Sequence, residues 1–169
     1  MITEHHNYDD GYVGLPNLQI GVLPERITVE GDELVMKDEF HISLLGIKRI
    51  APMIRPDNED EGRRELLDKF NQIVKDVPLN KYEILPELRV VQRGDRKTLV
   101  VMAKVPGIEE LFDRLRSTYP NIDIPTQQTH ITLYTLPESM AIGLISAEDV
   151  EKLSHKVQVL EVEKALIFR

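Results

Sequence analysis

Two short stretches of this chain carry the same set of reactive groups. Phe40-His41-Ile42-Ser43-Leu44 and Thr129-His130-Ile131-Thr132-Leu133 share the order His-Ile-hydroxyl-Leu. Both are rich in Ile, Thr, Phe and Leu with period-two alternation, which predicts a β-strand for each. On a strand, residues two apart share a face. His41 and Ser43 therefore point one way, and Ile42 and Leu44 point the other way into a core. His130 and Thr132 follow the same rule. Tyr134 comes next on that face, either to stack on a base or to form a cleft wall. An imidazole with a pKa near 6.5 serves as base or acid at neutral pH. Hydroxyls donate to the oxygens of an anionic group. Two such pairs brought together could do acid–base chemistry on an anionic group without a metal, with one histidine neutral and the other protonated, in either assignment.

The chain holds five histidines. By ordinary residue usage, two of them acquire this pattern by chance about once in a thousand chains. The repeat is therefore read as meaningful. The plain alternative is a pair of hydrogen-bonded strand histidines with no joint role.

The remaining elements must position these strands. Residues 26–37 read as a hairpin turning at Gly31-Asp32. The first motif strand spans about 39–47. Residues 48–62, with Pro52, Pro56 and a polar tail, read as a long connection able to cover the site or to act as a solvated linker. A helix at about 63–76 puts Leu66, Leu67, Phe70, Ile73 and Val74 on one stripe and stops at Pro78. Strands over 81–105 surround a turn at Arg93-Gly94-Asp95-Arg96. Within them, 99–103 is almost continuously apolar, as in a strand buried on both faces. A helix at about 107–118 precedes the second motif strand at about 128–135. Ser146 caps a third helix with Asp149 three residues on, and a last strand is expected at about 157–168. His155 falls off the apolar stripe of that third helix and is expected at the surface. This order predicts an α+β fold. It is expected as a bilobal, pseudo-two-fold domain over 21–169, with two antiparallel-type sheets forming a central cleft and helices packed outside. Residues 1–20 lack periodicity and are expected to be flexible or irregular. His5, His6, Asp9 and Asp10 there hold metal-ligand types, with a loose terminus as the favoured reading.

At 169 residues, 41% hydrophobic and 30% charged, the chain is that of one soluble globular domain. No apolar run approaches a membrane span, and no membrane partner is expected. The absence of cysteine excludes thiolate catalysis and cysteine-ligated zinc, and fits a cytoplasmic protein. The net charge of −8 argues against a broad nucleic-acid coat. The charge is uneven. Residues 1–40 hold nine acidic and two basic residues, and the rest hold 20 and 19. The motif-bearing part is nearly neutral, which leaves room for a few aimed phosphate contacts, with Lys48, Arg49, Arg93 and Arg96 as candidates. No carboxylate cluster with metal spacing accompanies the histidines, so neither metal nor cofactor is expected.

The pair His41-Ile42-Ser43-Leu44 and His130-Ile131-Thr132-Leu133, 89 residues apart, resembles the two-histidine phosphoesterase superfamily. That group includes 2′-5′ RNA ligase-like proteins and cyclic nucleotide phosphodiesterases. The resemblance covers most of 39–169, and Ser43 stands where Thr is common. It implies His41 and His130 as the catalytic pair, with Ser43 and Thr132 on the phosphate oxygens. It also implies a metal-independent enzyme acting on a 2′,3′-cyclic phosphate of a nucleotide or RNA end, or on a 2′-5′ linkage. A non-catalytic module holding a nucleotide or RNA end in the same cleft is the other reading. The acidic N-terminal forty residues have no counterpart in the resemblance.

Overall fold

The computed structural model describes residues 5–9, 11–138 and 140–166. In chain order the elements are β1 (Asn7–Asp9), β2 (Tyr12–Leu15), β3 (Arg26–Val29), β4 (Asp32–Met36), β5 (Ile42–Gly46), α1 (Ile47–Ile54), α2 (Glu59–Ile73), β6 (Glu83–Arg93), β7 (Arg96–Lys104), α3 (Ile108–Thr118), β8 (His130–Leu136), α4 (Ala147–Leu153), β9 (Ser154–Val157) and α5 (Leu160–Ala165). The fold is α+β, as the order of elements predicts.

All the strands join one hydrogen-bonded sheet in the order β1-β2-β5-β8-β7-β6-β9, and the β3–β4 hairpin attaches through β4 to β8. Every strand pair is antiparallel. Two separate sheets were expected. The strands connect because β8 is long enough to serve several partners. Its Ile131 pairs with Ile42 of β5, its Tyr134 and Thr135 pair with β4, and it pairs with β7 from His130 to Leu136.

One face of the sheet is covered by helices. Ile42, Leu44, Ile131, Leu133, Leu99 and Val101 are buried there with Leu66, Phe70 and Ile73 of α2 and Leu111, Phe112 and Leu115 of α3. β7 is buried on both faces. Its Val100 and Met102 point the other way and are covered by Ile142 and Leu144. The apolar run at 99–103 thus has the two-sided burial its composition predicts.

Local chemistry sets the boundaries. The β3–β4 turn has positive φ at Glu30 (51°) and Gly31 (84°). Two left-handed residues make the turn whose twist suits a hairpin, one residue earlier than the Gly31-Asp32 expected. Asn58 caps α2 by accepting from the Glu61 amide at 3.2 Å, and Glu59, Asp60 and Glu61 fill the first turn. Ser146 and Asp149 form the expected capping box on α4.

Other segments also differ from the sequence expectation. Within 1–20, expected to be irregular, residues 7–9 and 12–15 form β1 and β2, and β2 pairs with motif strand β5. His6 is buried there, with its Nε2 3.0 Å from the Leu79 carbonyl. Asp10 lies outside the described residues. The connection at 48–62 begins with helix α1, despite Pro52 inside it. Ile47, Ile50, Ala51 and Ile54 have helical spacing. Burying the first two isoleucines is worth about 1.5–3 kcal/mol each, which outweighs the roughly 3 kcal/mol cost of an interior proline. The last strand ends at Val157, and α5 follows. Val159, Val162 and Leu166 are buried at spacings of three and four, a helical rather than a strand interval. Residues 167 and 168 of that expected strand lie outside the described residues.

Candidate functional site

The two motif strands are neighbours, paired antiparallel at Ile42 and Ile131. That register carries a local two-fold axis. Extending it one residue each way sets His41 opposite Thr132 and Ser43 opposite His130. The isoleucines are fully buried on the helix-covered side. Pleat alternation turns the four polar groups to the other side. His41, Ser43, His130 and Thr132 all line one cleft of about 800 Å³. Directly opposite residues stand about 4.5–5.5 Å apart at Cβ and diagonal ones about 7–8 Å, so the histidines, on a diagonal, can flank one phosphate.

The repeat places the backbone symmetrically, but the two imidazoles have different surroundings. His130 is 8% exposed. Its Nδ1 lies 2.8 Å from the Gln128 carbonyl oxygen. A carbonyl only accepts, so Nδ1 carries the hydrogen, and in the neutral ring Nε2 is the basic nitrogen. Burial lowers the His130 pKa from its ordinary 6.5, and the Gln128 carbonyl opposes that shift in part. His41 is only partly buried and stacks on Tyr12 of β2, with ring centroids 4.9 Å apart and planes 23° apart. Ser43 and Thr132 are partly buried, and neither hydroxyl has a hydrogen-bond partner among the described residues.

A third side of the cleft is built by residues 140–145. The Arg96 Nη2 donates to the Ala141 carbonyl, and the Gln127 Nε2 donates to the Leu144 carbonyl at 2.9 Å. Ile142 and Leu144 seal the segment onto Val100 and Met102. Arg96 itself lines the cleft, and its buried Nε has no partner among the described residues. Lys37, Asp38 and Glu39, leading into β5, complete the lining charges.

The other candidates fall elsewhere. Tyr134 is fully buried, and its hydroxyl donates to the Pro24 carbonyl at 2.7 Å. The cause is a β-bulge. Val100 pairs with Thr132 but Leu99 pairs with Tyr134, so Leu133 is an extra residue in β8. One inserted residue reverses the alternation and sends Tyr134 into the core. Burial pushes its phenol up to about 12. Lys48 lies on α1 with its amide donating to the Gly11 carbonyl, outside the cleft lining. Arg49 borders a narrow apolar crevice that shares Gly46, Gln127 and Ile145 with the cleft. Arg93 is exposed at the β6–β7 hairpin tip. His155 is exposed and pairs with Glu30. Among the described residues, no three His, Asp or Glu side chains group so as to hold a metal ion.

Tyr12, Asp38, Glu39, Gln127 and the Gln128 carbonyl escaped the sequence reading. Tyr12-Val13-Gly14-Leu15 does alternate polar and apolar, a strand signal hidden by the acidic, unpatterned stretch around it. No family model matches the chain, and neither a curated protein nor a solved structure matches it.

Proposed function

We propose that the protein is a phosphoesterase of the two-histidine type. It opens a 2′,3′-cyclic phosphate on a nucleotide or RNA end, or cleaves a 2′-5′ linkage, by paired-histidine acid–base catalysis. One observation carries this reading: both His-x-hydroxyl strands present their four polar groups on the floor of a single cleft, related by the two-fold axis at Ile42 and Ile131. In this reading the axis divides the domain into two lobes, and the catalytic cleft runs along their seam.

His130 is the base. Its fixed Nδ1–H leaves Nε2 to take a proton from water, and burial keeps the ring neutral at pH 7. The water oxygen bonds to phosphorus while the bond from phosphorus to one ribose oxygen breaks. His41, as imidazolium, gives its proton to that leaving oxygen, and the product is a monoester. The Ser43 and Thr132 hydroxyls donate to the non-bridging oxygens as their charge builds. No metal is required by this chemistry. Asp38 and Glu39 offset Lys37 and Arg96 along the cleft, which favours a substrate with one phosphate charge over a long polyanion.

Turnover of 2′,3′-cyclic AMP in the presence of EDTA tests the proposal. The expected result is hydrolysis to a monophosphate, with kcat/KM falling on the acid side at an apparent pKa below 6.5 as His130 takes up a proton. Tight binding without turnover would replace the enzyme with the binding module.

A further inference from the structure

The N-terminal strand β2 contributes to the candidate site through a seat for one aromatic ring. Tyr12 and Gly14 belong to this strand, and Gly14 pairs with Ser43 of the first motif. A Cβ at Gly14 would stand 3.1 Å from the Tyr12 Cε2 and 2.7 Å from the Ile42 carbonyl oxygen. A side chain there would collide first with that carbonyl and would press the tyrosine ring by a few tenths of an ångström. With glycine, the ring lies back over the strand and reaches His41, stacked at 4.9 Å and 23°. Glycine at 14 admits the close approach of the Ile42 carbonyl and leaves room for the ring that stacks on His41. The second motif is built differently, since His130 is held by its own strand through the Gln128 carbonyl.

We propose that Tyr12 is a positioning residue for His41: its ring fixes the imidazole plane and favours the protonated form that gives a proton to the leaving oxygen. The proposal rests on the reading of His41 as the acid. A tyrosine face carries negative electrostatic potential and attracts a cation laid over it. The stack also restrains rotation of the imidazole plane. Among the described residues, the other charged or titratable groups lining the cleft besides Tyr12 are Asp38, Glu39, Lys37, Arg96 and His130. The two carboxylates favour the imidazolium and the two cations oppose it, and the aromatic face adds to the favourable side.

The test follows the His41 ring by NMR titration in the full chain, with the signal assigned by its loss in His41→Gln. Tyr12→Leu is expected to lower the His41 pKa by about half a unit, the equivalent of a weak cation–π contact. Tyr12→Phe keeps the ring and is expected to restore most of that shift. For 2′,3′-cyclic AMP turnover, Tyr12→Leu should move the alkaline limb of the pH–rate profile down by the same half unit and lower kcat about tenfold. Phenylalanine should rescue both. An unmoved His41 titration in a folded Tyr12→Leu protein overturns the proposal. A wild type without turnover overturns the phosphoesterase reading instead, and the titration still reports whether Tyr12 governs His41.

Discussion

The two motif strands share a pattern and a backbone geometry yet hold their histidines by different means. His130 is enclosed, anchored through Nδ1 to a carbonyl two residues back, and has a pKa lowered by burial. His41 is half open and leans on a tyrosine from a third strand. The contrast teaches that a repeated motif fixes where functional groups stand, while non-repeated neighbours decide what they do. Around His130 those neighbours are β7 and the 140–145 segment tied down by Arg96 and Gln127. Around His41 they are β2 and the acidic approach at Asp38 and Glu39. Two identical environments would give no preferred direction of proton transfer.

The largest expected effect comes from breaking either half. His41→Ala and His130→Ala should each lower kcat for a 2′,3′-cyclic nucleotide by about 100- to 10,000-fold, the usual reach of a general acid or base. The double variant should be little worse than either single one, because both groups serve one step. Full additivity in a double-mutant cycle would show that the histidines act independently.

The distinction between faces gives the next effect. Ser43→Ala and Thr132→Ala should each lower kcat/KM by about ten- to a thousand-fold, the range for one lost oxyanion donor, with little change in melting temperature. Ile42→Ala and Ile131→Ala, fully buried on the opposite face, should instead destabilise by about 2–5 kcal/mol through a cavity. Stable isoleucine variants beside unfolded hydroxyl variants would mean that the faces are inverted.

These faces were legible because period-two alternation is a local property, and it holds from Phe40 to Leu44 and from Thr129 to Leu133. It stopped being reliable one residue later. The bulge at Leu133 is set by how β7 and β8 pair, which no property of residues 130–135 alone records, so alternation by itself puts Tyr134 on the wrong face. Pro52 hides helix α1 in the sequence, since a local breaker masks the helical spacing of Ile47, Ile50, Ala51 and Ile54. The part played by Tyr12 was not legible at all. It depends on β2 pairing with a strand about thirty residues away, and long-range pairing leaves no mark in a composition. The capping box at Ser146 and Asp149 is legible for the opposite reason: it is complete within four residues.

The smallest expected effect tests the asymmetry through stability rather than rate. Burial lowers the His130 pKa below 6.5 in the folded protein, while the unfolded chain keeps a value near 6.5. Below about pH 6.5 the unfolded state therefore binds a proton that the folded state refuses, and stability falls as the pH drops toward the depressed folded pKa. Above that window the effect is absent. His6 acts in the same sense: burial lowers its pKa, the Leu79 carbonyl opposes the shift, and His5 adds to it. The wild-type melting temperature should fall between pH 7.5 and 5.5, a range that leaves ordinary carboxylates ionised. The fall should be shallower in His130→Gln, shallower in His6→Gln, and shallowest in the double variant. A His130→Gln protein with the wild-type slope would show that this imidazole gains its proton equally in both states. Its assignment as the neutral base would then lose its support, and the two halves would differ only in what they touch.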